Sequence, residues 1–305
     1  MIWTNERKGY VSALISYTSV AFGFIGMTVM IQSSSVLAAQ TLFFFVGALL
    51  SLGLLYLKRG DIRLHSLKQN WKFYSLVCLL MVYVATTTFV CIGLIGPGSV
   101  SFVGQIGIVF GAILGAVVLG EKISFVDGLG GLIAILGVLC MTYVPGEYMG
   151  LGVLLVLGSS FALALHNLII KRHAAEIDKL ELLFIRAVTT FIVVGLLAFL
   201  AGEVQQPPIW LVPLGALTSL MGFMIVNFFR YTALGYIDMT KVGMLRVISP
   251  MGVMVLSFLA FKVVPGTVQL IGSGLILAGV SLILFRPLLH PCLVSVEDGV
   301  AARTK

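Results

Sequence analysis

The chain has 305 residues, 59% of them hydrophobic and only 10% charged, against about 25% charged in soluble domains. A soluble globule is excluded, because no interior of that size hides so much apolar side chain. The formal net charge of +7 does not point to nucleic acid, since the basic residues are scattered and form no block.

Taken in chain order, the first charge-free run lies between Lys8 and Lys58. About 20 apolar residues cross a hydrocarbon core of ~30 Å, so this run is too long for one helix. Two spans are expected, at 10–31 and 36–57, joined by Gln32-Ser33-Ser34-Ser35. The first follows Arg7 and Lys8 as a signal peptide would, but it exceeds a typical apolar core of that kind and is retained as a span. The run from Lys72 to Glu121 divides at Gly96-Pro97-Gly98 into 73–95 and 98–119. Further spans fall at 125–145, 149–170, 180–201, 209–229, 241–261 and 266–285, with Pro145-Gly146 and Gln206-Pro207-Pro208 marking turns. A helix satisfies its own backbone in lipid, whereas a barrel would show short alternating segments. The expected fold class is an all-α integral membrane protein of ten transmembrane helices.

With the N-terminus inside, sixteen Lys and Arg residues flank the inner side, while the outer turns hold only Lys262 with Glu147 and Glu203. This positive-inside bias places both termini in the cytoplasm and the protein in the cell (plasma or inner) membrane. The four cysteines (Cys78, Cys91, Cys140, Cys292) show no paired spacing, and neither a disulfide nor a metal site is expected.

The second half repeats the first at an offset of 142: Gly93 falls on Gly235, Ile95 on Ile237, Val100 on Val242, Gly130 on Gly272, and Gly137-Val138 on Gly279-Val280. The expected domains are a five-helix repeat over 9–145, a second over 149–286, and a cytoplasmic tail over 287–305. Five is odd, so the second copy enters from the opposite face. Such a 5+5 inverted repeat occurs in many secondary transporters, whose sites lie near the midplane between repeats.

The segment Gly115 to Cys140, GAVVLGEKISFVDGLGGLIAILGVLC, resembles the EamA-type domain of the drug/metabolite transporter superfamily. The motif residues are Gly120-Glu121, Asp127, Gly130-Gly131 and Gly137-Val138. The second copy, FKVVPGTVQLIGSGLILAGV, keeps Gln269, Gly272 and Gly279-Val280 but has Val263 in place of the Glu. A proline frequent in helix four of the family is Ile108 here, while the matching Pro250 is present in span nine. An arginine common near the start of the second helix of each half is Gln40 in the first half and Arg186 in the second. The resemblance implies a 5+5 metabolite carrier, frequently an exporter, with a cavity lined by helices one, three, four, six, eight and nine. No cofactor is expected.

Ionisable groups in hydrocarbon cost roughly 2.5–3.5 kcal/mol on insertion scales. Arg246, inside span nine, reads either as a snorkelling residue or as a cavity arginine binding a carboxylate or phosphate; the second is preferred. His166 and Asn167 on span six and Asn227 on span eight lie at similar depth, Gln105 is near the middle of span four, and Tyr17 and Tyr83 fall near mid-membrane. Each is a substrate-binding candidate whose alternative is interhelical packing. Arg186 and Arg230 read as inner-surface anchors, Arg186 alternatively as a partner of Glu181. Glu121 and Asp127 read as polar caps of a tight turn. Small residues at Gly107, Gly111 and Gly115, at Gly130 and Ala134, and at Gly274 and Ala278 point to close packing of helices four, five, nine and ten, with a homodimer face as the rival to a monomer.

The expected partners are the lipid bilayer and a small polar metabolite, anionic or zwitterionic, with no nucleic acid. A non-transporting subunit or receptor is the alternative; an intramembrane enzyme lacks a catalytic motif, and a channel lacks rings of charge. The orientation is testable in a cysteine-free background, where Ser34→Cys should react with a membrane-impermeant maleimide from outside. Reaction only from inside would overturn it.

Overall fold

The computed structural model describes residues 5–59, 67, 70–119, 125–144, 147–148, 150–173, 178–203, 207–237, 242, 245–246, 248–262 and 266–289. Gly120 and Glu121 of the motif and the chain from 290 onward lie outside these residues, as does the side chain of Asp127.

The first half consists of α1 (Asn5–Ser33), α2 (Val36–Arg59), α3 (Trp71–Val103), a 3-10 turn (Gly104–Ile106), α4 (Gly107–Leu119) and α5 (Phe125–Thr142). A two-residue hairpin, Tyr143–Val144 with Glu147–Tyr148, leads into the second half. There follow α6 (Gly150–Arg172), α7 (Lys179–Leu200), α8 (Leu211–Ser219), a π-helical turn (Leu220–Ile225), α9 (Val226–Tyr236), α10 (Ile248–Phe261) and α11 (Thr267–Leu289). Asp178 caps α7, its carboxylate accepting from the Leu180 and Glu181 backbone N–H groups at 2.8 and 3.1 Å. Six helices among the described residues are long and apolar enough to cross a membrane, with shorter apolar helices at Gly128–Cys140, Ile248–Phe261 and Thr267–Leu282. Leu57, Val117, Phe199 and Leu200 on the outer faces are each more than two-thirds exposed. Such a surface suits acyl chains rather than water.

The sequence places two spans and a turn between Lys72 and Glu121, and the structure runs helically from Trp71 to Leu119. Nine continuous helical segments therefore stand among the described residues. The third is broken at Gly96, whose φ of 77° and ψ of 159° are open to glycine and strained for other residues. Contacts with α6 show what this break does. Tyr83 reaches Gly158 and Ile95 reaches Gly152, whereas Gly107 is back against Ser160. The chain doubles back at Gly96-Pro97.

The halves pack through reciprocal pairs: α1 on α9 and α3 on α6, α1 on α10 and α4 on α6, α2 on α7, and α5 on α11. Counterpart helices run antiparallel. Phe45 meets Phe191 with ring centroids 5.3 Å apart, while Thr41 meets Gly195 further along. The tightest approach joins α5 to α11. A Cβ on Gly137 would lie 2.7 Å from the Gly272 carbonyl oxygen, and one on Gly279 would strike Gly130 and Ala134. Each glycine therefore sits against the helix that carries its repeat mate. The expected stripe on α11 shifts accordingly: Gly272, Ile276 and Gly279 make this contact, while Gly274 has open space. Gly107 faces Ser160 of α6 instead of α10.

Gly137→Val should overpack this seam and lower stability by about 1–3 kcal/mol, read as a fall in the melting temperature of the detergent-solubilised protein. Gly274→Ala, with nothing to strike, should be neutral or slightly stabilising.

Candidate functional site

Between the halves lies a cavity of about 190 Å³. Its apolar side is built from Phe43 and Phe44 of α2, Phe89 of α3 and Phe223 of the π turn. These rings meet edge to face at centroid distances of 5.0 to 6.3 Å, a stable arrangement for aromatic quadrupoles.

Two irregular turns border the same space. The 3-10 turn brings Gly104 and Gln105 to the cavity, and the π turn brings Gly222 and Phe223. Departures from α geometry inside a helix recur at functional positions because they re-aim the residues that follow. Here the residues that follow the π turn are Asn227 and Arg230, and both line the cavity. Asn227 anchors itself by donating from Nδ2 to the Phe223 carbonyl at 2.7 Å.

Asn227 Oδ1 then accepts from two guanidinium groups, Arg186 Nη1 at 2.9 Å and Arg230 Nη2 at 2.6 Å. Arg186 comes from α7, donates also to the Tyr231 hydroxyl at 2.7 Å, and lies over the Phe223 ring at 5.0 Å. It is only 4% exposed. Arg246 approaches from beside α10 and donates from Nη2 to the Gly104 carbonyl at 2.9 Å. Room for it comes from bare glycines: a Cβ on Gly107 would stand 3.3 Å from Arg246 Nη1 and equally close to the Ser160 carbonyl. Tyr17 of α1 is buried and lines the same cavity as Arg230 and Arg246.

All three arginines line the cavity, and none of its described lining residues is acidic. Glu181, on the same helix as Arg186, is turned elsewhere, its Oε1 accepting from the Leu67 backbone N–H at 2.9 Å. The described acceptors holding the arginines are an amide, a phenol and a peptide carbonyl, all neutral. Such a site keeps its positive charge for whatever enters it.

Four of the residues singled out from sequence meet here: Arg246, Gln105, Asn227 and Tyr17. Gln105 is buried, with Nε2 turned to the Ser101 carbonyl at 3.4 Å and no described partner for Oε1. Three others stand apart from the described lining. His166 is fully buried behind it, its ring 6.1 Å from Tyr231 and its Nδ1 3.4 Å from Asn167 Oδ1. Asn167 is half-buried on the same helix. Tyr83 is 45% exposed on the outer face of α3, against Gly158. Conversely, Arg186 and Arg230, which read as surface anchors, belong to the cavity. A sequence signal for Arg230 did exist, since Asn227 and Arg230 are one helical turn apart and share a face. Pro250 is buried in the first turns of α10, close to Arg246 in sequence. Gln40 is also buried, donating to Thr86 Oγ1 at 3.0 Å, and is not among the lining residues.

A model of the EamA-like transporter family matches residues 7–143 and again residues 150–285. No curated protein matches the chain. Among solved structures, one titled only as the crystal structure of a protein aligns with 90% of this chain and 97% of its own, at a TM-score of 0.68 and 18% identity. That likeness concerns the fold.

Removing the shared acceptor with Asn227→Ala should cost about 1.5–3 kcal/mol, the range for hydrogen bonds to charged groups. Tyr231→Phe, which leaves Asn227 in place, should cost less. Melting temperatures in detergent should fall in that order.

Proposed function

Since the chain belongs to the EamA-like transporter family, we propose that it carries a small polar metabolite bearing an anionic group, an organic anion or an amino acid. The observation that carries this reading is the convergence of Arg186, Arg230 and Arg246 on one cavity whose described lining holds no acid. A guanidinium offers a planar fork of donors matched to carboxylate and phosphate. Buried without a counter-ion, it is costly to hold, and an incoming anion recovers part of that cost.

The same reading gives the chain ten spans, with the break at Gly96 as the outer turn between the third and fourth. The halves then form an inverted repeat, with both termini in the cytoplasm and the tail after residue 286 inside. Substrate binds at the seam between halves, and rocking one half against the other exposes it alternately to each side. Two features support this. Counterpart helices pack antiparallel, and the cavity lies among residues from both halves. Net movement is outward, as the family resemblance implies, and the monomer is the working unit because the glycine seam is used up inside it.

The test is uptake of labelled carboxylates and amines into proteoliposomes containing the full chain. Arg246→Ala and Arg230→Ala should each reduce anion uptake at least tenfold, while Leu79→Ala on the outer face should leave it unchanged. Preferential transport of cations, or arginine variants with undiminished uptake, would overturn the reading.

A further inference from the structure

Building on that anion-site reading, we infer that the substrate carries two negative charges, one facing the Arg186–Asn227–Arg230 clamp and the other facing Arg246. The first support is an inventory of charge. The cavity holds three guanidinium groups, and each described hydrogen bond they make goes to a neutral oxygen. A monoanion would leave two of these charges uncompensated in a low-dielectric space. A zwitterion would bring an ammonium group, for which the described lining has no carboxylate.

Arrangement is the second support. Arg186 and Arg230 are tied to one oxygen, so they act as a single pole, whereas Arg246 is tied to Gly104 on another helix. Two separate positive poles suit two anionic groups on a short backbone, or one doubly charged group spanning both. The first pole is also incompletely satisfied by the protein: Arg186 Nε and Arg230 Nε are both buried without a described acceptor. Arg186 itself is more than nine-tenths buried, so bulk water does not serve that donor. A guanidinium has five N–H groups, more than the one or two described hydrogen bonds each of these arginines makes. The shared chemistry is that of a small dianion, either a dicarboxylate or a phosphate monoester.

Calorimetry on the purified full chain in detergent, with uptake into proteoliposomes alongside, tests this with four probes: succinate, glycerol 3-phosphate, butyrate and alanine. Succinate or glycerol 3-phosphate should bind at least tenfold more tightly than butyrate, and alanine should bind most weakly. Whichever dianion wins identifies the group. Asn227→Asp places a carboxylate between the two guanidinium groups with little change of shape, and should narrow the dianion-to-butyrate ratio at least tenfold. Arg246→Gln should narrow it as well, whereas Arg246→Lys, which keeps the charge, should retain it. Folding of each variant is checked by its melting temperature, and the lysine variant tests the charge dependence even if the glutamine variant is unstable. Equal affinity for butyrate and both dianions in the wild type would overturn the dianion inference while leaving an anion site intact. So would equal loss of the ratio in the lysine and glutamine variants. Absence of binding by every anion would overturn both readings.

Discussion

Backbone contact between α5 and α11, possible only because Gly137 and Gly279 carry no side chain, fixes how the two halves meet. An added Cβ on Gly137 would press on Gly272 and Ile276, and one on Gly279 on Gly130 and Ala134. These two contacts are the same contact, each shifted by 142 residues, so a local two-fold axis runs through the seam. The hydrophobic effect does little between helices in lipid, and close van der Waals packing takes its place. Such packing has a narrow tolerance, so it fixes register as well as adhesion. Everything placed near that axis inherits the register.

Arg246 is the clearest case. Its acceptor, the Gly104 carbonyl, lies 142 residues away and belongs to its own repeat mate. A pair of repeat mates in contact must straddle the axis, and there the halves cannot be alike. An arginine at both positions would bring two like charges together in a low dielectric, and glycine at both would take the cation from this side of the cavity. One arginine facing one glycine is the solution that keeps a single cation and gives it a backbone acceptor. Gly107 extends the same bare surface to the other side of the guanidinium. The difference between the halves at Pro250 and Ile108 lies one turn along the same two segments. Asymmetry in sequence is thus concentrated where symmetry in structure would be costly.

The apolar helices and the repeat were legible because they are written in one dimension. Charge-free runs mark depth, and a constant offset marks duplication; neither depends on which way a side chain points. The turn at Gly96-Pro97-Gly98 was legible too, although its helical hydrogen bonding on both sides hides it from a count of segments. The site was half legible for the same reason. Depth alone selected Arg246, Gln105, Asn227 and Tyr17, and the structure brings them together. Depth equally selected His166, Asn167 and Tyr83, which differ only in azimuth around their helices. Arg186 and Arg230 failed in the opposite sense. Their distance from the span ends suited an anchor, and the π turn that re-aims Asn227 and Arg230 leaves no mark in composition. Side-chain direction, unlike depth, is set by tertiary packing and by helix irregularities that single residues do not announce.

The choice of acceptors ties the packing to the chemistry. Three guanidinium groups in a membrane interior need hydrogen-bond partners, and carboxylates would satisfy them most strongly. Carboxylates would also cancel the charge, and an entering anion would then have to displace a bonded one and leave it stranded. Asn227, Tyr231 and the Gly104 carbonyl fix the orientation of the arginines, and none of these described acceptors carries a charge that would cancel theirs. The cost is a cavity that is electrostatically unfinished when empty. That deficit is tolerable only because the surrounding frame, the aromatic cluster on one side and the glycine seam on the other, holds the poles in place without their help. A rigid frame around guanidinium groups whose described partners are all neutral is what the proposed anion carrier needs, because its ligand could then bind and leave without breaking a salt bridge among the described residues.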